Sequence, residues 1–123
     1  MTKEEKAAYN EAFRNRTKAA ALRVIQVVEQ LPRTAAADVL ARQLLRSATS
    51  VAANYRAACR GRSAAEFFAK LSICVEEADE TQLWLEMLGD AGIVPKSRLA
   101  ALELEYAQIT AVLTKARKTA SGE

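Results

Sequence analysis

Apolar residues recur along this chain at spacings of three and four residues, in four long segments separated by short breaks. This spacing collects them on one face of an α-helix and is typical of helices that pack against one another. Pro32, Gly61 and the pair Gly89 and Gly92 interrupt the pattern, because proline stops a helix and glycine favours the turn that follows one. We therefore predict helices at about residues 3 to 31, 34 to 60, 63 to 89 and 95 to 119.

The start of each predicted helix carries suitable capping residues. Ser/Thr-x-x-Glu capping boxes begin at Thr2 and Ser63, and Thr34 is a good N-cap for the second helix. Pro95 suits the first position of the fourth helix, where its missing N–H would have no partner. Four helices joined by connections of a few residues predict an all-α domain over residues 1 to 123, an antiparallel up-down-up-down four-helix bundle.

The third helix is unusual because it carries apolar side chains on two opposite faces. At about 100° per residue, the side expected in the core carries Phe67, Leu71, Val75, Ala78 and Leu85. The opposite side carries Ala69, Ile73, Trp84 and Met87. One face suits the core of the chain itself, and the other indicates a partner.

The outer face of the third helix therefore predicts self-association, since large exposed apolar residues usually mark interfaces. The predicted oligomer interface consists of Ile73, Glu77, Glu80, Trp84 and Met87. The alternative for Trp84 is that it tucks under the first or fourth helix. A second apolar face predicts association without fixing its symmetry.

The composition of the chain argues against membrane, metal-binding and catalytic functions. With 123 residues, 50% of them hydrophobic, four Gly and two Pro, the chain fits one helical domain. It has no apolar run of membrane-spanning length and its opening segment is charged, which predicts a cytoplasmic protein without a membrane partner. It also has no histidine, so the usual general base and the commonest zinc ligand are missing. We expect no catalytic residue, cofactor, metal or small-molecule substrate.

The two cysteines and the acidic run of the third helix do not change that expectation. In a helical hairpin Cys59 and Cys74 would lie about 15 Å apart along the axis, beyond disulfide reach, so both are predicted to be free thiols in a reducing compartment. Di-metal sites in bundles combine inward glutamates with Glu-x-x-His motifs, which this chain cannot supply. Glu77 and Glu80 are also expected to point outward.

Arginines line the second helix on the side opposite its core stripe. The predicted ridge consists of Arg42, Arg46, Arg56 and Arg60, and Arg62 and Lys70 extend it past the turn. Guanidinium groups bind phosphate oxygens bidentately, so a ridge about 27 Å long predicts binding of RNA or DNA without sequence preference. Two interpretations stay open beside it, namely a solvated surface and pairing with Glu76, Glu77 and Glu80 of a neighbouring subunit. The net charge of +3 does not decide among them.

A polar strip flanks the core stripe of the second helix. Its members are Gln43, Ser47, Ser50 and Asn54. The small hydroxyls allow close helix approach and can bond back to backbone carbonyls. A nucleophilic serine is not expected, because no histidine and no nearby lysine could activate it. Asn54 is expected to tie the second helix to its neighbour by a buried hydrogen bond that fixes register.

Three stretches of the second and third helices are similar to one known family. They are the run RSATSVAANYRA at residues 46 to 57, the motif Arg62-Ser63-x-x-Glu66-Phe67 continued by Lys70-Leu71-Ser72-Ile73, and Glu77-x-x-Glu80-Thr81. Over about residues 20 to 115 the chain resembles the four-helix-bundle family named for 23S ribosomal RNA intervening sequences. The family pattern touches Arg46, Ser50, Asn54, Ser63, Glu66, Phe67, Leu71 and Glu77, and none of these is thereby catalytic.

The resemblance implies a small bacterial cytoplasmic protein that assembles as a homopentameric ring or barrel. Related proteins, the accessory variability proteins of diversity-generating retroelements, look like basic pentamers that bind nucleic acid and a reverse transcriptase. Most members have no established activity. The expected function is therefore a non-enzymatic homo-oligomeric interaction module, a pentamer by the resemblance, with RNA, DNA or a nucleoprotein as partner. The alternative is a purely structural or protein-binding assembly whose arginines form intersubunit salt bridges.

Overall fold

The computed structural model describes residues 1–122, which form four α-helices. They are α1 (Lys3–Glu29), α2 (Ala35–Cys59), α3 (Ala64–Asp90) and α4 (Lys96–Ala120). Each consecutive pair packs together, and α1 closes the bundle by contacting α4. The predicted all-α four-helix bundle is confirmed, with each predicted helix end within two residues of the observed one.

The predicted caps are present, with two small corrections. Thr2 and Glu5 form the complete reciprocal box at the start of α1. At the start of α3, Ser63 Oγ accepts from the N–H of Glu66 at 3.1 Å, but the Glu66 carboxylate reaches past Ser63 to the N–H of Arg62. Pro95 is the N-cap residue of α4 and not its first helical residue. The Glu66 contact and the role of Pro95 are each displaced by one residue, and the helices still begin within one residue of the predicted starts.

The inner face of α3 lies in the core as predicted. Leu71, Ala78 and Leu85 are fully buried, and Phe67 and Val75 are half-buried against the core. Cys74 is also buried, and its Sγ donates to the carbonyl oxygen of Val51 at 3.8 Å. Both cysteines are free, and burial raises the pKa of the Cys74 thiol to about 12.

The outer face of α3 is exposed at Ile73 (38%), Leu83 (45%) and Met87 (41%). Trp84 is less exposed than its place on the predicted outer face suggested, because it is half-buried and packs against the core. It is one residue, or about 100°, from buried Leu85, so it occupies a flank of the helix from which a large indole reaches back over the core. Its part in an oligomer interface stays a prediction.

Candidate nucleic-acid interface

Cationic side chains of three helices converge at the end of the bundle where α2 turns into α3. A groove of about 500 Å³ between α1 and α2 is lined by Arg14, Lys18, Arg56 and Arg60. A second groove between α2 and α3 is lined by Arg56 and Arg60 again, together with Arg62 and Lys70. We name these six residues the basic surface.

Helix geometry explains why these six residues meet. Arg56 and Arg60 are one helical turn apart on the exposed side of α2, as are Arg14 and Lys18 on α1. Because consecutive helices are antiparallel, the early part of α1 and the start of α3 both flank the last turns of α2. Alanines at positions 21, 52, 53 and 57 line the grooves. Their small side chains leave the neighbouring cations protruding above the groove floor.

The six cations of the basic surface outnumber the carboxylates beside them and form no ion pair with them over residues 1–122. Over residues 1–122, the ion pairs with nitrogen and oxygen within 4 Å involve Arg16, Arg46 and Lys96, and none involves the basic surface. Two carboxylates line the grooves, those of Glu11 and Glu66. The Glu66 carboxylate already accepts the backbone N–H of Arg62 at 3.0 Å. A cluster of free cations in a groove raises the local potential for anions.

Arg46 does not belong to this surface, although the sequence placed it on the same ridge. Its two terminal nitrogens contact Glu77 Oε2 at 2.9 Å and Glu80 Oε1 at 3.0 Å. Its Nε donates to Gln43 Oε1 at 3.3 Å. These contacts lie within one chain and join α2 to α3, so they occupy the guanidinium that was predicted to meet phosphate.

The outward orientation predicted for Glu77 is wrong. Its side chain is 13% exposed, because it precedes buried Ala78 and lies in the seam between α2 and α3. Burial and a hydrogen bond to Glu80 raise the pKa of Glu77, although Arg46 acts in the opposite direction. Glu80 keeps 39% of its side chain exposed and also faces Arg46.

The continuous ridge expected along α2 is divided in the structure. Arg42 is exposed and separated from Arg56 by 14 residues, or about 21 Å of helix, with the occupied Arg46 between them. Arg14 and Lys18, on the other side of the α1–α2 groove, were not among the residues predicted from the sequence. The antiparallel register of the predicted hairpin could have indicated them, because it brings the fourth and fifth turns of the first helix beside the C-terminal half of the second.

The polar strip has a different role from the one expected. Ser47 is fully buried, and its Oγ lies 2.8 Å from Oγ1 of Thr81 on α3, so this hydroxyl pair forms the buried bond between helices. Asn54 instead donates to the carbonyl and the hydroxyl of Ser50 in its own helix, at 3.0 and 2.9 Å. The register set by the Cys74–Val51 contact places apolar Leu71 opposite Asn54, so α3 offers it no side-chain oxygen.

Across residues 1–122, no three His, Cys, Asp or Glu side chains come together in a way that could hold a metal ion. None of the helices in this part of the chain combines the length and hydropathy that crossing a membrane requires.

Comparison with known proteins identifies the family. The model of the family described as 23S rRNA-intervening sequence protein matches residues 10–115, which is most of the chain. The chain belongs to this family. The resemblance seen in the second and third helices is thereby confirmed, and the matched range contains all six residues of the basic surface.

A solved structure extends the comparison of this 23S rRNA-intervening sequence protein to three dimensions. The crystal structure of a protein of unknown function from the S23 ribosomal protein family of Bacteroides thetaiotaomicron matches with a TM-score of 0.81 and 28% sequence identity. The match covers 89% of this chain and 97% of that one. No curated protein matches the chain. Neither the family description nor that of the solved relative names an enzymatic activity.

Proposed function

We propose that this family member is a non-enzymatic, homo-oligomeric helical bundle that binds nucleic acid through the phosphate groups of its backbone. The observation that carries the proposal is the basic surface, in which three helices and the α2–α3 turn bring six cations together with no ion-pair partner over residues 1–122. Four of the six are arginines, whose planar guanidinium groups match phosphate oxygens bidentately.

Self-association is the second part of the proposal. We define the outer seam of α3 as Ile73, Glu76, Glu80, Leu83 and Met87. Its spacings of three and four residues follow the heptad pattern of helix–helix contacts, and three of its members are large exposed apolar residues. The number five comes from the family resemblance, as does a location in the bacterial cytoplasm.

Both parts of the proposal are compatible within one molecule. The basic surface ends on α3 at Lys70, and the outer seam begins at Ile73 and continues away from it for about 21 Å. A subunit joined to its neighbours along the seam would keep its cations accessible. The resemblance to basic, nucleic-acid-binding accessory variability proteins agrees with this arrangement.

The competing function is a purely structural assembly in which the arginines pair with glutamates of a neighbour. Exposed Glu76 on the outer seam supports it. The occupation of Glu77 and Glu80 by Arg46 of the same chain weighs against it, since a single-chain clamp uses two of the three carboxylates that the pairing needs.

The double substitution Arg56→Glu, Arg60→Glu tests the proposal. Its matched control is Arg33→Glu, Arg98→Glu, which changes the charge equally at the opposite end of the bundle, where both arginines are exposed. Anisotropy with labelled RNA and DNA, and light-scattering mass, should show that the first variant loses binding and keeps its mass, while the control retains both. Dissociation of the first variant alone would favour intersubunit pairing, and retained binding would contradict the proposal.

A further inference from the structure

The grooves of the basic surface contain no platform on which a base could stack. Over residues 1–122, neither groove is lined by an aromatic side chain. The nearby aromatic residues are engaged elsewhere: Phe67 packs against the core, and the ring of Phe68 lies 4.9 Å beneath the guanidinium carbon of Arg117. Proteins that hold single strands depend on such stacking, which contributes about 1–3 kcal/mol per base.

Tyr9 is exposed, but it is on the wrong side of α1 to serve this surface. On a helix, position 9 is about 180° from Lys18, which lines the α1–α2 groove. Between the cations the grooves present alanines, the polar side chains of Asn15 and Thr49, and the aliphatic side chains of Leu22 and Ile25. Such groups can approach a phosphate backbone closely but cannot stack on bases.

The shape of the basic surface is convex. Since α2 contacts both α1 and α3, it occupies the corner between them, and both grooves share Arg56 and Arg60. These two arginines form the crest, with Arg14 and Lys18 on one flank and Arg62 and Lys70 on the other. Packed helices have axes about 8–10 Å apart, so Arg14 and Lys18 of α1 and Lys70 of α3 flank the crest at roughly that spacing, and Arg62 lies in the turn that follows α2.

We infer that the basic surface binds the backbone of a double helix in preference to a single strand, an inference that rests on the proposed function. A double helix presents phosphates on two strands separated by a groove, about 12 Å wide for the major groove of B-DNA, which admits an α-helix. The crest would enter the groove while the flanks contact the strands on either side. In A-form RNA the wide, shallow minor groove offers the corresponding fit.

The test compares strands with duplexes on the full-length protein. Fluorescein-labelled DNA and RNA of about 20 nucleotides are titrated as single strands and as duplexes between about 50 and 200 mM salt. We expect at least one duplex to bind about tenfold more tightly than its component strands. If all six cations contact phosphate, the slope of log K against log salt on duplex DNA approaches about −5.

The variant Lys18→Gln, Lys70→Gln removes one cation from each flank, and Arg33→Gln, Arg98→Gln is its control. The flank variant should reduce the salt slope by about two, while the control leaves it unchanged. Circular dichroism verifies that both variants remain helical. Tighter binding of the DNA duplex would indicate that the crest fits the major groove of B-DNA, and tighter binding of the RNA duplex would indicate the minor groove of A-form RNA. Equal or tighter binding of single strands would overturn the inference while leaving phosphate binding intact, and failure to bind any of the four probes would overturn both.

Discussion

Arg46 of α2 and Glu77 of α3 form an ion pair within one chain, with 2.9 Å between Nη1 and Oε2. Glu80 accepts from the other terminal nitrogen of the same guanidinium at 3.0 Å. The clamp joins two helices whose packing forms the largest contact of the bundle. An arginine that the sequence groups with phosphate ligands is therefore engaged in holding the fold together.

Arg46 and Arg56 should consequently respond differently to the same substitution. We expect Arg46→Gln to lower the free energy of unfolding by about 1 kcal/mol, because it leaves partly buried Glu77 without its cation, and to leave nucleic-acid binding unchanged. Arg56→Gln should weaken nucleic-acid binding and leave the free energy of unfolding unchanged. Urea denaturation and anisotropy on both variants measure the two effects, and weakened binding by Arg46→Gln at unchanged stability would show that Arg46 contacts phosphate after all.

The pair of Arg16 and Glu105 gives the bundle a pH-dependent link between α1 and α4. Its nitrogens and oxygens are 2.8 and 2.9 Å apart, and the hydrogen bond from Arg16 lowers the pKa of the Glu105 carboxyl from its ordinary value of 4.5. A lowered pKa in the folded state adds stability above about pH 4.5, and that stability is lost as the pH falls through the folded value.

Glu105→Gln should therefore reduce the free energy of unfolding by roughly 0.5–1 kcal/mol at neutral pH, and by progressively less as the pH falls through the lowered pKa of wild-type Glu105. Urea unfolding of both proteins at neutral pH and over an acid series measures the difference. A deficit of constant size over the whole series would mean that the charge of Glu105 does not contribute.

Ser47 and Thr81 form the buried hydroxyl contact between α2 and α3. Ser47→Ala and Thr81→Val should each cost about 1 kcal/mol, and the double variant should cost less than the sum, because either single change already removes the contact between the two hydroxyls. The hydroxyl that remains keeps its bond to a backbone carbonyl of its own helix, Leu44 for Ser47 and Glu77 for Thr81. Exposed Thr49→Ala is the control and should change stability by under about 0.5 kcal/mol. Strict additivity of the two buried changes would contradict the coupling.

The two thiols should differ in reactivity. Burial raises the pKa of Cys74 to about 12, so little thiolate is present at neutral pH, whereas Cys59 is only half-buried. Labelling of the native protein with a disulfide reagent should modify one thiol per chain, and Cys59→Ser should remove that reaction. Rapid modification of two thiols in the native state would show that the α2–α3 contact around Cys74 opens readily.

The sequence predicts the fold of this protein well because its fold depends on local signals. Helix starts are marked by Thr2, Thr34 and Ser63, whose side chains accept backbone N–H groups within three residues. The core stripes depend only on the period of the helix. Both kinds of information are contained in short stretches of the chain.

The errors occur where a side chain reaches from one helix to another. Arg46, Asn54 and Trp84 each lie at the flank of a helix, where a change of a few tens of degrees in orientation decides between solvent, core and a neighbouring helix. The partners of Arg46 are 31 and 34 residues away in the chain. Neither the helical period nor the capping residues specify contacts between helices, so the assembled basic surface became visible only in the structure.

The most direct measurement of the central claim is the mass of the purified protein by light scattering at low and high salt, with nucleic-acid binding assayed on the same fractions. We predict a multimer whose mass is unchanged by salt and which binds RNA or DNA at low salt and releases it at high salt. A monomer at both salt concentrations would contradict the role of the outer seam of α3. A multimer that binds no nucleic acid even at low salt would contradict the role of the basic surface.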